Sequence, residues 1–338
     1  MGNCSGILSY CDSKGDIEKV PNTKRQANEP ENTEIKFLIE NYHSETKHEE
    51  PLNSLPLTSA LRGYNARRLL SGLSKIKQYP GKSLVWVNNT PIFPVEDGEH
   101  RWIESLEVSA DIQYTGQVKN NLRDGIGFQT WNDGNRYEGE WLEGRATGKG
   151  KLTFNGNIVY EGDWEDDLMH GFGKYVHVNG AVYIGEFKYD KHHGKGIEIW
   201  PNNTRYEGFF LDNKKNGKGV LYFGNGSEYK GSFKENEISG FGVYKWPDGR
   251  VYVGEWEQNK MHGKGKLTWP DGRYYEGQYC MDKKHGEGEF GWPDGRKYSG
   301  TWKNGKQHGR GYYTLPDGQI RYGEWFEGKR VRWIEVSQ

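Results

Sequence analysis

The chain opens Met-Gly-Asn-Cys-Ser-Gly, and its first residues could carry covalent lipid. Removal of the initiator methionine exposes Gly2 to N-myristoylation, usually within Met-Gly-x-x-x-Ser/Thr. Here Ser5 comes one place early and position 6 is Gly. Cys4, and after it Cys11, are candidates for palmitoylation. One myristoyl chain binds a membrane marginally and two signals anchor it stably, so Gly2, Cys4 and Cys11 form a candidate lipid-attachment set. The competing reading is an ordinary polar N-terminus.

Histidines recur before glycine at His170, His193, His262, His285 and His308. Equivalent residues of adjacent units would sit two strands, roughly 10 Å, apart. Zinc–nitrogen bonds are about 2 Å, so these histidines read as turn-stabilising residues and no metal site is expected. Recurring Gly-x-Gly pairs do not make a dinucleotide loop, which needs Gly-x-Gly-x-x-Gly between a strand and a helix. The run Glu161, Asp163, Glu165, Asp166, Asp167 reads as solvated strand and loop. No nucleophile–base constellation stands out, so no catalytic residue, cofactor or enzymatic activity is expected.

The elements that would position any site follow from a period. Tyr occurs at 114, 137, 160, 183, 206, 229, 252, 275 and 298, each step being 23 residues. Gly follows two places after each Tyr, and a Gly-x-Gly pair begins eleven places after it, from Gly125/Gly127 to Gly309/Gly311. A tenth, partial unit keeps Gly323 and Trp325, with Arg321 in the Tyr slot. Each unit reads as two short strands. In Tyr252, Gly254, Trp256 and in Gly265, Leu267, Trp269, alternate residues share one face, while Glu255, Glu257, Lys264 and Lys266 point to the other. Glycine weakens a strand, but an aromatic ring laid over the bare backbone recovers contact. The packed aromatic face includes Tyr137, Trp141, Tyr160, Trp164, Tyr252, Trp256, Trp269, Trp292 and Trp302. Asp-Gly or Asn-Gly turns separate most units. Asn155-Gly156 comes one place early, and Asn202-Asn203 has no glycine.

The expected fold is all-β: an elongated antiparallel ribbon of nine to ten hairpin repeats, about 85 Å long at roughly 4.8 Å per strand. Such a repeat array is nearly one-dimensional in stability. Only 33% of the 338 residues are hydrophobic while 14% are aromatic and 48 are glycine, which suits a thin sheet rather than a thick aliphatic core. Net charge is −1, so nothing drives nucleic-acid binding electrostatically. No apolar run reaches about 18 residues, and no signal peptide is visible. Three cysteines, Cys4, Cys11 and Cys280, suggest a reducing compartment.

Tyr-Glu-Gly-Glu-Trp (137–141), His-Gly-Lys-Gly-Lys-Leu-Thr-Trp-Pro-Asp-Gly (262–272) and their echoes resemble the MORN, or membrane occupation and recognition nexus, repeat. The resemblance covers about 114–330. It implies a hairpin-ribbon fold and a scaffold or membrane-tethering role, and no single activity. Some MORN arrays are attached to lipid kinases, but nothing in this chain resembles a kinase domain.

Outside the array, residues 1–52 read as a disordered tail carrying the acylation signal. Residues 53–82 read as a basic amphipathic helix or linker. Arg62, Arg67, Arg68, Lys75 and Lys77 are its candidate contacts to a membrane or partner. Residues 83–113 read as an N-terminal cap and 114–338 as the array with a C-terminal cap, because Arg-Trp-Ile-Glu stands at both 101–104 and 332–335.

The expected function is a non-enzymatic scaffold or adaptor, peripheral on the cytoplasmic face of a membrane. Its partners would be cytoskeletal or membrane-associated proteins and anionic phospholipids, with no nucleic acid. Open ribbon edges make it a candidate homo-oligomer. The alternatives are a cytoskeletal or ciliary component, similar to MORN-containing radial-spoke heads, and a phosphoinositide-binding regulator of a lipid enzyme.

Overall fold

The computed structural model describes residues 86–87, 90–91 and 99–335. Gly2, Cys4, Cys11, Arg62, Arg67, Arg68, Lys75 and Lys77, with the expected tail and helix, lie outside the described residues. Every regular element described is a strand. Two short ones, β1 (Trp86–Val87) and β2 (Thr90–Pro91), pair antiparallel. The other 21, from β3 (Arg101–Ser109) to β23 (Lys329–Trp333), form one sheet in which neighbours follow sequence order. Arg101-Trp102-Ile103-Glu104 lies in β3, and Arg332-Trp333 ends β23. By packing, the chain divides within β15 (Glu237–Lys245), between Gly240 and Phe241.

The two strands of each unit are joined by two-residue turns. Both turn residues have positive φ, as at Gln258 (49°) and Asn259 (64°). That geometry matches the right-handed twist of a hairpin and favours Asn, Asp or Gly. Here the structure corrects the histidine assignment. His262 lies inside β17 (Lys260–Thr268), past the turn at 258–259, and His170, His193, His285 and His308 likewise lie within strands. The second strand of a unit therefore starts earlier than its Gly-x-apolar pattern suggests. Trp269 falls just beyond its end.

Side chains of the second turn residue hold several of these turns directly. Met261 N–H donates to Asp282 Oδ1 at 2.8 Å while Asp282 N–H donates back to the Met261 carbonyl at 3.0 Å. The same two-way clip joins Ala146 to Asp167 and Met169 to Asp190. Each turn is thus tied to the preceding unit.

The acidic run at 161–167 is also more than solvated surface. Asp167 is such a clip. Asp163 accepts Phe172 N–H at 2.9 Å and meets Lys149. Asp166 pairs with Arg145, and Glu165 with His170.

Between units, Trp269 N–H donates to the Arg273 carbonyl and Gly272 N–H to the Trp269 carbonyl. Asp271 accepts both the backbone N–H and Nε–H of Arg273, the latter at 2.7 Å. These donors hold the Asp271 carboxyl below its usual range. The two irregular units find local solutions. Asn155 and Gly156, both at positive φ, make a two-residue turn between longer strands. Asn203 supplies the positive φ (64°) that glycine supplies elsewhere.

The register aligns the glycines. Gly116 opposes Gly127, which opposes Gly139, which opposes Gly150. Beyond Gly240, the row runs Gly254, Gly265, Gly277, Gly288, Gly300, Gly311 and Gly323. Each repeat Tyr lies over this row. A β-carbon on Gly265 would sit 2.5 Å from Tyr252 Cζ, and one on Gly254 would sit 2.5 Å from the Gly265 Cα. All nine tyrosines are at most 2% exposed.

The first glycine of each pair has a different task. Gly254 opposes Gly265 and Trp256 opposes Met261, so β17 carries two extra residues opposite Glu255. Gly263 takes φ +58° within that bulge. Two backbone groups then need new partners, because a buried unpaired group is costly. Tyr252 hydroxyl donates to the Glu255 carbonyl at 3.0 Å, and Glu255 Oε1 accepts Lys264 N–H at 3.2 Å. A tyrosine-to-carbonyl bond three residues on occurs in all nine repeats.

The residue four places after each repeat Tyr, aromatic in every unit but the first, where it is Val118, completes the packing. Tyr252 meets Trp256 at 5.1 Å and Tyr279 of the next unit at 5.2 Å, both edge to face. Such pairs contribute about 0.5–1.5 kcal/mol beyond burial. Trp256→Ala is expected to lower stability by about 3–5 kcal/mol. His262→Ala, at a half-exposed side chain, should stay within about 0.5 kcal/mol of wild type. Denaturant midpoints check this; similar losses would contradict it.

Candidate interaction face

The face bearing the tyrosines is the candidate site. In the unit up to Gly240, ring contacts zigzag from Tyr137 to Trp141 (5.0 Å) and Trp164 (4.9 Å), then through Tyr160, Phe187 and Tyr183. In the unit from Phe241, the zigzag passes Tyr252, Tyr279, Tyr275, Trp302 and Tyr298, ending on Trp325. Trp269 and Trp292 flank this path, each contacting Phe290, at 5.7 and 4.5 Å. Of the nine aromatic residues singled out in the sequence, four lie on the tyrosine-bearing face of the unit up to Gly240 and five on that of the unit from Phe241. Tyr137, Trp141, Tyr160, Tyr252, Trp256 and Trp302 are buried; Trp164, Trp269 and Trp292 are half-buried. Burial pushes the phenols above their usual pKa, which keeps them neutral hydrogen-bond donors.

Sequence reasoning missed the position nine places after each Tyr, whose side chain lies among the rings. It is Ala146, Met169 and Met261 in some units, but Arg123, His192, Lys215 and Lys284 in others. The available signal was a polar residue at a place that other repeats keep apolar. Arg123 has its guanidinium 4.2 Å from the Trp141 ring and donates to Gln129 and the Gly144 carbonyl. Lys215 sits 4.6 Å from Trp200 and pairs with Glu198 at 3.1 Å.

His192 stacks flat on Tyr183, with centroids 3.6 Å apart and planes 4° apart. Phe187 and Phe210 touch its edges, as does His177 at 5.7 Å. Burial, with positive charge at His177 and Lys215, pushes the His192 pKa down to about 4. Beside it is an open concavity of about 320 Å³, lined by Met169, Tyr175, His177, Phe187, Asp190, His192, Glu198 and Asn213. In the unit from Phe241, a concavity of about 530 Å³ is lined by His308, Glu324, Trp325, Phe326 and Arg332, among others. Among the described residues, no three His, Cys, Asp or Glu side chains come together to hold a metal ion. The face offers apolar surface, cation–π contacts and paired charges.

Comparison with known proteins agrees with the repeat. The MORN repeat profile matches residues 114–136, 137–157, 160–182, 183–205, 206–228, 229–249, 252–272, 275–295 and 298–320. The chain belongs to the MORN repeat family. No curated protein matches it. Among solved structures, it is similar to the TCP10 domain of Danio rerio CPAP in complex with a STIL peptide. Identity there is 16% and TM-score 0.38, covering 65% of this chain and 99% of that one. It is also similar to the Drosophila melanogaster SAS-4 TCP domain with a proline-rich motif of Ana2, at 12% identity and TM-score 0.28, covering 60% and 90%. A Staphylococcus aureus virginiamycin B lyase reaches 10% identity and TM-score 0.14, covering 68% and 96%.

The histidine makes stability pH-dependent. Between about pH 6.5 and 4 the unfolded chain protonates His192 and the folded chain resists. The unfolded state then binds more protons, so stability falls as pH drops through that window. His192→Phe should remove this component. The wild-type minus variant difference in denaturant midpoint should shrink toward acid; a constant difference contradicts the account.

Proposed function

We propose that the chain is a non-enzymatic MORN-repeat scaffold or adaptor. It is held peripherally on the cytoplasmic face of a membrane by acyl chains on Gly2, Cys4 and Cys11, and it docks proteins along its sheet. The observation that carries the docking half is the single-layer architecture. Among the described residues there is no helix, and the strands pack mainly on their sequence neighbours, so the half-buried Trp164, Trp269 and Trp292 remain partly open to partners.

The tethering half rests on the N-terminal residues. The basic residues Arg62, Arg67, Arg68, Lys75 and Lys77 would add attraction to anionic phospholipids, each worth about 1 kcal/mol near the surface and weakened by salt.

Fractionation of wild type, Gly2→Ala and Cys4→Ser, with mass spectrometry of the N-terminal peptide, tests the tether. Gly2→Ala should abolish myristoylation and release the protein from membranes, with an unchanged melting temperature. Cys4→Ser should leave weak, reversible attachment. An unmodified N-terminus, or equal membrane recovery of all three, would overturn the tether. Detergent-resistant sedimentation would then favour the cytoskeletal or ciliary reading.

A further inference from the structure

Two lysines occupy the same place in two repeats and meet different surroundings. Lys215 and Lys284 each stand nine residues after a repeat tyrosine. Lys215 lies near Trp200, Tyr206 and Phe210, at 4.6, 5.4 and 6.0 Å. Lys284 lies near Phe290, Trp302, Tyr275 and Trp269, at 4.3, 5.0, 5.1 and 5.4 Å. Both ammonium groups sit in aromatic boxes on the packed face.

The difference is the counter-ion. Glu198, seventeen residues before Lys215, pairs with it at 3.1 Å, and both side chains are about 15% exposed. Seventeen residues before Lys284 the chain has Leu267, itself buried. Lys284 makes no ion pair among the described residues; its partners are the four rings. Arg273 adds a charge of the same sign. Rings attract a cation, but by only about 0.5–2 kcal/mol, which does not offset partial removal from water without a carboxylate. The amine therefore gives up its proton more readily than a solvated lysine does. Its pKa is pushed down to about 7 by burial first and Arg273 second. A desolvated lysine beside another cation is an activated nucleophile.

We propose that Lys284 is a covalent-modification site, whose amine accepts acyl groups from small activated acyl donors of the thioester class. The box leaves Lys284 half-buried, with Phe290, Trp269 and Trp302 as walls for a flat or apolar acyl group. In the step, the Nζ lone pair attacks the thioester carbonyl carbon and forms the C–N bond. The C–S bond breaks, the thiolate leaves with its electron pair, and the proton shed by nitrogen passes to the thiolate. The product is an amide at Lys284 and a free thiol. No oxidant or reductant is involved. Lys215, whose amine pairs with the Glu198 carboxylate at 3.1 Å, is the built-in control.

The test treats the full chain at pH 7.0 with the benzoyl thioester of N-acetylcysteamine, below one equivalent. Acylation at each lysine is then followed by peptide mass spectrometry. Lys284 should be acylated at least about tenfold faster than Lys215 and the exposed Lys283, since activation by desolvation raises the neutral-amine fraction at neutral pH. Its rate should level off above about pH 7. Leu267→Glu, which transplants the Glu198 arrangement, should slow Lys284 toward Lys215. If that variant does not fold, the wild-type ratio and pH profile still decide. Labelling of Lys284 no faster than Lys215, or a rate still rising above pH 9, would overturn the proposal.

Discussion

The structure depends on a tyrosine ring lying flat on bare glycine backbone. In an ordinary sheet, side chains stand up from both faces and a second layer covers one of them. Here two opposed glycines leave room for the Tyr252 ring to descend onto the strands themselves, with its hydroxyl at the Glu255 carbonyl. That carbonyl sits opposite the bulge of β17. One side chain thus fills the gap left by two missing β-carbons and satisfies a backbone group that the bulge sets free. Gly263 allows the bulge, and the Glu255 carboxylate accepts the N–H of Lys264. Glycine pair, bulge and ring are one device, to which units such as this one add a carboxylate, whereas the unit at Tyr206 keeps the bulge with Phe209 in that place. This explains why a strand can hold glycine, normally a weakening residue, at fixed positions through nine repeats.

Much of this was legible because the device is local and repeated. The Tyr and Gly period revealed strands, faces and pairing, and the MORN resemblance rests on the same residues. Asp-Gly at 248–249 and 271–272 announced its turns because Gly there takes positive φ. The tight hairpin turns were harder to read. Gln258-Asn259 and Met281-Asp282 adopt positive φ without glycine, so the adjacent His-Gly pairs drew attention away from them. Those glycines instead serve the bulge. The roles of Asp163 and Asp167 were hidden because their partners are backbone amides of other strands. Lys215 and Lys284 escaped notice for a related reason: burial of a charge depends on what the register places above it.

The device also bears on function. A repeat tyrosine is buried against its own sheet and its neighbouring rings, without a helix over it among the described residues. What distinguishes one repeat from another is then the small set of side chains that pack between the rings. Ala146 and Met169 are bland there, while His192, Lys215 and Lys284 bring charge or its absence into an aromatic setting. The repeat supplies the scaffold, and substitutions at one position mark individual units.

The central claim is that ring and glycine act together, and a double-mutant cycle measures that coupling directly. Tyr252→Leu, Gly265→Ala and the pair would be compared by denaturant unfolding. The account predicts that Gly265→Ala is strongly destabilising beneath Tyr252 and much less so beneath leucine, giving a coupling of about 1–3 kcal/mol. Costs that simply add would contradict it, because the glycine would then be required for reasons unrelated to the ring above it.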